Sequence, residues 1–203
     1  MSRSAAGLLQ LIQSHRLRVF TTADLLTLAD MNPPAATQAL RRLEGHHLLT
    51  RIKRGVWVNR LVENLGPYEV VPYLAAPWPA YVSLHSALSE EGIVEEIPQV
   101  ITVVSSGRPA RYRTPIGNFH IHHLPERLIW GYQIRKAGSA SYPIAESEKA
   151  FLDLAYLALI PRSRLAFPYQ RNRRWDLDRS KLRAYAVRFK FHPLLEYLKR
   201  SGL

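Results

Sequence analysis

Apolar positions recur at helical spacing in the first stretch of the chain, where Leu8, Leu9, Leu11 and Ile12 predict a helix from about Ala5 to His15. After Phe20, a hydroxyl from Thr21 or Thr22 is placed to cap a second short helix, and Leu25, Leu26 and Leu28 supply its inward side. Asn32 caps a third helix. Pro33 and Pro34 fall in its first turn, where amides lack intrahelical partners and proline is tolerated. In this helix Ala36, Ala39, Leu40 and Leu43 occupy one face, and Thr37, Gln38, Arg41 and Arg42 the other. Gly45 marks its end. Residues 48–52 and 56–59 then alternate as two strands about the turn Lys53-Arg54-Gly55, where glycine permits positive φ.

The order helix, helix, helix, basic hairpin is that of a winged helix-turn-helix, expected over residues 1–62. A helix face bearing Arg, Gln and Thr suits a major groove: Arg pairs bidentately with guanine, Gln with adenine, and Thr contacts phosphate or a thymine methyl. The predicted DNA contacts are Thr22, Thr37, Gln38, Arg41 and Arg42 for the helical part and Arg51, Lys53 and Arg54 for the wing, the helix reading bases and the wing anchoring the backbone.

Residues 63–80 carry four of the chain's fourteen prolines among Tyr, Trp, Leu and Val, which reads as a packed connector rather than a flexible linker. A second domain, residues 81–203, follows. Ser83 is placed to cap a short helix ending before Gly92. Short strands are expected at residues 100–106, 111–113, 118–123 and 130–134, the second and third joined by a turn at Pro115–Gly117. Helical periodicity then runs from Ile144 through Phe151, Leu154, Ala155 and Ala158 to the stop at Pro161, and two further helices are predicted from about Asp178 to Phe189 and from Pro193 to Arg200. The expected class is α+β: an N-terminal winged helix-turn-helix, then an α+β domain with a small antiparallel or mixed sheet and C-terminal helices.

Charge sharpens this picture. The net charge is +12 over 203 residues, and it is segregated: nine Lys and Arg face three Asp and Glu in residues 1–60, seven face ten in residues 61–160, and twelve face three in residues 161–203. Two basic ends suit a polyanion, because neutralising phosphates releases condensed counterions. Arg171, Arg173 and Arg174 are candidates for further backbone contacts. A membrane surface ranks below DNA, since neither end carries a basic amphipathic helix with bulky lipid-facing aromatics. With no cysteine, disulfides, thiol nucleophiles and Cys-ligated metals are excluded. No apolar run reaches spanning length, and the helical periodicity and glutamines of the N-terminus argue against a signal peptide, so a soluble cytoplasmic protein is expected.

Catalytic constellations are weak. His120 and His122 point the same way on a strand, and His85 could join them, but no third ligand stands at zinc spacing, so no metal and no cofactor is expected. Glu146, Lys149 and Asp153 share a helix face and read as surface ion pairs, although a Mg²⁺-dependent nuclease using Glu146 and Glu148 stands as an alternative. Ser83 and Ser86 beside His85 lack a nucleophile elbow and a partner acid. The chain is not expected to be an enzyme. A second alternative is a protein-interaction module whose acidic middle binds a basic partner.

The arrangement resembles the AbiEi-type antitoxins, the transcriptional-regulator halves of type IV toxin–antitoxin and phage-defence systems. The residues that carry the likeness are the winged N-terminus with Arg54-Gly55-Val56-Trp57, the opening YVSLHSALSEEGIVEEIP from Tyr81, the strand VITVVSS, the segment Phe119-His120-Ile121-His122 and the helix Ala145-Glu146-Ser147-Glu148-Lys149-Ala150-Phe151-Leu152-Asp153-Leu154. The resemblance implies a cytoplasmic prokaryotic repressor that binds inverted repeats in double-stranded DNA at its own promoter. It also implies antagonism of a neighbouring nucleotidyltransferase-like AbiEii toxin without a stable complex.

Overall fold

A computed structural model describes residues 4–167 and 175–203. The chain is α+β, and its described residues form eight α-helices and nine strands. The first helix, α1 (Ala5–Ser14), starts at Ser4, whose hydroxyl accepts from the Gly7 amide, and buries Leu8 and Ile12. Next comes β1 (Val19–Thr21), a three-residue strand that the hydrophobic pattern did not predict. Helix α2 (Thr22–Ala29) opens with a capping box in which the Thr21 hydroxyl accepts from the Asp24 amide and the Asp24 carboxylate from the Thr21 amide. Only Leu25 of its three leucines is fully buried. Leu28, expected inside, is 38% exposed.

Helix α3 (Pro33–Gly45) is capped by Asn32, whose side chain accepts from the Ala35 amide. Gly45 is its last helical residue, and the chain turns instead at His47, in the left-handed region at φ 59°. Strands β2 (Leu49–Lys53) and β3 (Val56–Asn59) form the hairpin, with Gly55 at φ 75° in its turn. All three strands pair antiparallel in the order β1-β3-β2.

This small sheet is apolar on both faces. Phe20, Leu49 and Trp57 pack with Leu8, Ile12, Leu25, Leu40 and Leu43 beneath the three helices. Val19, Ile52, Val56 and Val58, alternating with them, join the larger core of the rest of the chain. The connector adds to that seam. It forms a 3-10 turn (Pro67–Val70) and α4 (Val71–Ala75), and Val70, Val71 and Leu74 are buried. Arg18, just before β1, reaches Glu69 at 2.6 and 2.9 Å and also donates to the carbonyls of Glu63 and Asn64 and to Ser139 Oγ. The hydrogen bond to Glu69 holds the guanidinium pKa above its ordinary value, outweighing partial burial.

Beyond the connector, β4 (Ala80–Val82), α5 (Leu84–Glu90), β5 (Ile101–Ser105), β6 (Ala110–Thr114), β7 (Gly117–His123), β8 (Tyr132–Ala137) and β9 (Ala140–Ala145) build a six-stranded sheet in the order β6-β7-β5-β4-β9-β8. The sheet is mixed: β5 runs parallel to β7 and β4 to β9, while the other neighbours are antiparallel. Strand β9 corrects the sequence reading, which joined Ile144 and Ala145 to the following helix. Both residues are fully buried in the sheet, and α6 (Ser147–Leu159) begins after them. Helices α7 (Arg179–Arg188) and α8 (His192–Arg200) close the chain against α6. Among the described residues, no helix is long and apolar enough to cross a membrane.

The ion pairs expected on the surface of α6 lie inside it. Lys149 and Asp153 are both fully buried and paired with each other. Tyr81 accepts from Lys149 Nζ at 2.7 Å and donates to Asp153 Oδ2 at 3.0 Å, and the Ser83 hydroxyl donates to the same oxygen at 2.9 Å. Ser83 therefore makes no side-chain cap for α5. Burial pushes the Lys149 pKa down and the Asp153 pKa up, each partly offset by the partner charge. Rings of Tyr81, Trp130 and Phe189 surround the ammonium at 5.0–5.2 Å. At Gly131, with φ 70°, a Cβ would come within 3.0 Å of the Lys149 stem, so glycine lets the chain close over the lysine.

Candidate nucleic-acid interface

Ala36, Ala39, Leu40 and Leu43 of α3 are buried under the N-terminal module at 4% exposure or less, as the hydrophobic stripe requires. That fixes the rotation of the helix about its axis. Thr37, Gln38, Arg41 and Arg42 consequently all face solvent. Thr37 Oγ1 donates to the Pro33 carbonyl at 2.8 Å, which orients its methyl and leaves its oxygen able to accept. Gln38, Arg41 and Arg42 stand at i, i+3 and i+4, so three long polar side chains share one exposed strip.

The hairpin separates its three predicted contact residues. Arg51 pairs across the ladder with Trp57, is exposed, and lies with its guanidinium carbon 6.0 Å from the Trp57 ring centroid. Arg54 is exposed in the turn. Lys53 is not a free anchor. The register shifts between Arg51 and Lys53, so Lys53 pairs with Val56, whose side chain belongs to the face packed on the larger core. Its ammonium is half-buried, donates to the Leu74 carbonyl at 3.0 Å and sits 5.8 Å from the Tyr112 ring centroid. The sequence reading put Lys53 in the turn with Arg54 and Gly55, whereas it is the last residue of β2. One irregularity in the ladder turns it toward the second half of the chain.

Thr22 also serves the fold. Its hydroxyl accepts from the Trp57 indole at 3.0 Å, and its amide donates to the Gly55 carbonyl at 2.8 Å, bracing the hairpin turn against the start of α2. Arg171, Arg173 and Arg174 lie outside the described residues.

The other constellations are placed as follows. Glu146 accepts from the Tyr185 hydroxyl at 2.7 Å and stands 3.4 Å from Lys181. Glu148 pairs with Lys181 at 2.9 Å and accepts from the Asp178 amide at 3.1 Å. Burial acts to raise the Glu148 pKa, but the hydrogen bonds from Lys181 and the backbone together hold it below the ordinary range. These carboxylates lash α7 to the start of α6. His120 and His122 do share a face of β7, with ring centroids 6.5 Å apart. Among the described residues no group of three or more His, Asp or Glu side chains is gathered as metal ligands would be. His122 is instead held neutral: burial, then His120, Arg111 and His85, push its pKa down to about 4, and its Nε2 is buried without a hydrogen-bond partner.

No protein-family model and no curated protein matches the chain.

Proposed function

We propose that the N-terminal module is a winged helix-turn-helix that binds double-stranded DNA, with α3 as recognition helix and the β2–β3 hairpin as wing. The observation that carries this reading is the exposure of Thr37, Gln38, Arg41 and Arg42 together on a helix whose other face is wholly buried. Side chains of this type on a supported helix meet base edges, while Arg51 and Arg54 meet phosphates. The excess of nine cations over three anions in residues 1–60 supplies the long-range attraction.

We further propose, on the resemblance to AbiEi-type antitoxins, that the chain is a cytoplasmic transcriptional repressor of its own operon. In that role it opposes a nucleotidyltransferase-like toxin encoded beside it. Mixed-sheet residues from Tyr81 onward carry that likeness, and the buried Tyr81–Ser83–Lys149–Asp153 network shows how they support one another in the fold.

A fluorescence-anisotropy titration on duplexes from the protein's own promoter, with random duplexes as control, tests the DNA reading. Arg41→Ala is expected to weaken promoter binding by about 1–3 kcal/mol with little effect on random DNA. Arg54→Ala is expected to weaken both alike and to lower the salt slope by about one. Lys53→Ala is expected to change neither by more than about 0.5 kcal/mol, because its ammonium is tied to Leu74. Equal loss on both duplexes for Arg41→Ala removes that residue from base readout. For the antitoxin role, rescue of growth when the neighbouring gene is induced is expected without co-purification of the two proteins, and failure of rescue overturns it.

A further inference from the structure

A cavity of about 480 Å³ opens where the hairpin meets the second half of the chain, between Lys53 on β2, Leu74 and Ala75 on α4, the loop after β5, and Tyr112 and His123 on the sheet. Three features set its chemistry. It is lined by Lys53 and Arg108 and by no carboxylate, so its field is positive. Lys53 uses one of three ammonium N–H groups on the Leu74 carbonyl, which leaves two donors for another acceptor. Trp78 and Tyr112 add two aromatic rings to the lining, and Trp78 is 54% exposed.

The walls are built before any ligand arrives. Ser105 Oγ donates to the Pro79 carbonyl at 2.8 Å and accepts from the Gly107 amide at 3.0 Å, and His123 Nδ1 donates to the Gly107 carbonyl at 3.0 Å. Trp78 lies directly on the loop: a Cβ at Gly107 would come within 2.5 Å of the indole. The loop therefore requires glycine at this position, and the indole is held at the rim.

We propose that this cavity binds a small anion bearing an aromatic ring, its negative group between Arg108 and Lys53 and its ring against Trp78 and Tyr112. Nucleoside monophosphates and aromatic carboxylates share that chemistry, and the volume suits a ligand of their size. Of the DNA contacts predicted from the sequence the site uses only Lys53, which the fold turns away from the wing surface, so it goes beyond the DNA-binding reading and stands or falls apart from it.

Isothermal titration of the full chain, without DNA, tests the proposal with five probes: AMP, GMP, salicylate, adenosine and inorganic phosphate. At least one ring-bearing anion is expected to bind at one site per chain, at least tenfold more tightly than adenosine or phosphate. AMP or GMP ahead of salicylate identifies a nucleotide site, and the reverse order a carboxylate site. Arg108→Ala and Trp78→Ala, both at exposed positions, are each expected to lower that affinity at least tenfold with the melting temperature unchanged. No binding by AMP, GMP or salicylate overturns the proposal, as does phosphate or adenosine binding equally well, or both variants binding like the parent. Should a variant fail to fold, hydrogen exchange on the parent protein decides: protection of residues 105–108 by the bound probe supports the site, and protection confined to other residues overturns it.

Discussion

Removing Asp153 should be among the most damaging single changes this chain can suffer. Asp153→Ala strands a fully buried Lys149 ammonium and takes an acceptor from the hydroxyls of Tyr81 and Ser83. Breaking one partner of a buried pair costs about 3–5 kcal/mol, a third or more of the stability of a typical domain. Lys149→Met leaves the carboxylate with two hydroxyl donors and no counter-charge, so a loss of about 3 kcal/mol is expected. The double variant Lys149→Met/Asp153→Leu removes both charges together and fills the space with apolar groups. It should be far less destabilised than the two single losses added, with a coupling energy of at least about 2 kcal/mol. Urea unfolding followed by tryptophan fluorescence measures this well, because Trp130 lies 5.0 Å from the Lys149 ammonium and reports on its surroundings. Single losses below about 1 kcal/mol, or strictly additive losses, would refute the claim that the charges form a buried, mutually dependent pair.

Two other perturbations follow from the same structure. Arg18→Lys keeps the charge but cannot reproduce a planar fork that meets Glu69 twice along with two carbonyls and Ser139, so a loss of about 1–2 kcal/mol is expected, with faster hydrogen exchange in residues 63–69. Unchanged stability and exchange would show that the seam is held by its apolar contacts alone. For His122, the folded pKa of about 4 lies below the ordinary 6.5, so its contribution to stability is present above pH 6.5 and is lost as pH falls from there through 4. Full linkage would be worth about 3 kcal/mol, and partial solvation of the ring reduces this to about 1–2 kcal/mol. His122→Phe should therefore lose less stability than the parent between pH 7 and pH 4, and identical acid profiles would contradict the assignment.

Much of the N-terminal module was legible in the sequence because its signals are local. The Asn32 cap, the paired prolines, the apolar stripe from Ala36 to Leu43 and the Gly55 turn each act within a few residues, and each is found where it was expected. What escaped depends on distant partners. Strand β1 is three residues long and exists because Val19, Phe20 and Thr21 pair with β3. Ile144 and Ala145 fit a helical period as well as a strand, and pairing with β4 and β8 decides between them.

The spacing Lys149 to Asp153 is that of any i, i+4 pair on a helix and carries no sign of depth. The aromatic shell that buries it comes from Tyr81, Trp130 and Phe189, far apart in the chain. Lys53 reads as a turn residue because Arg54 and Gly55 follow it, but it ends β2, and one shift in that five-residue strand sets which face its side chain takes. The cavity at the hairpin had only faint signals in the chain, an indole set between prolines at residues 77–79 and the Ser105-Ser106-Gly107-Arg108 loop.

We propose the exposed strip of α3 as the surface that meets DNA. Its most direct test is an anisotropy titration of a promoter duplex with the parent chain and with a variant carrying Thr37→Ala, Gln38→Ala, Arg41→Ala and Arg42→Ala together. All four positions are exposed on a helix held by its buried face, so the variant should fold and melt like the parent while its promoter affinity falls at least a hundredfold. A variant that is equally well folded and binds the promoter as tightly as the parent would contradict the claim.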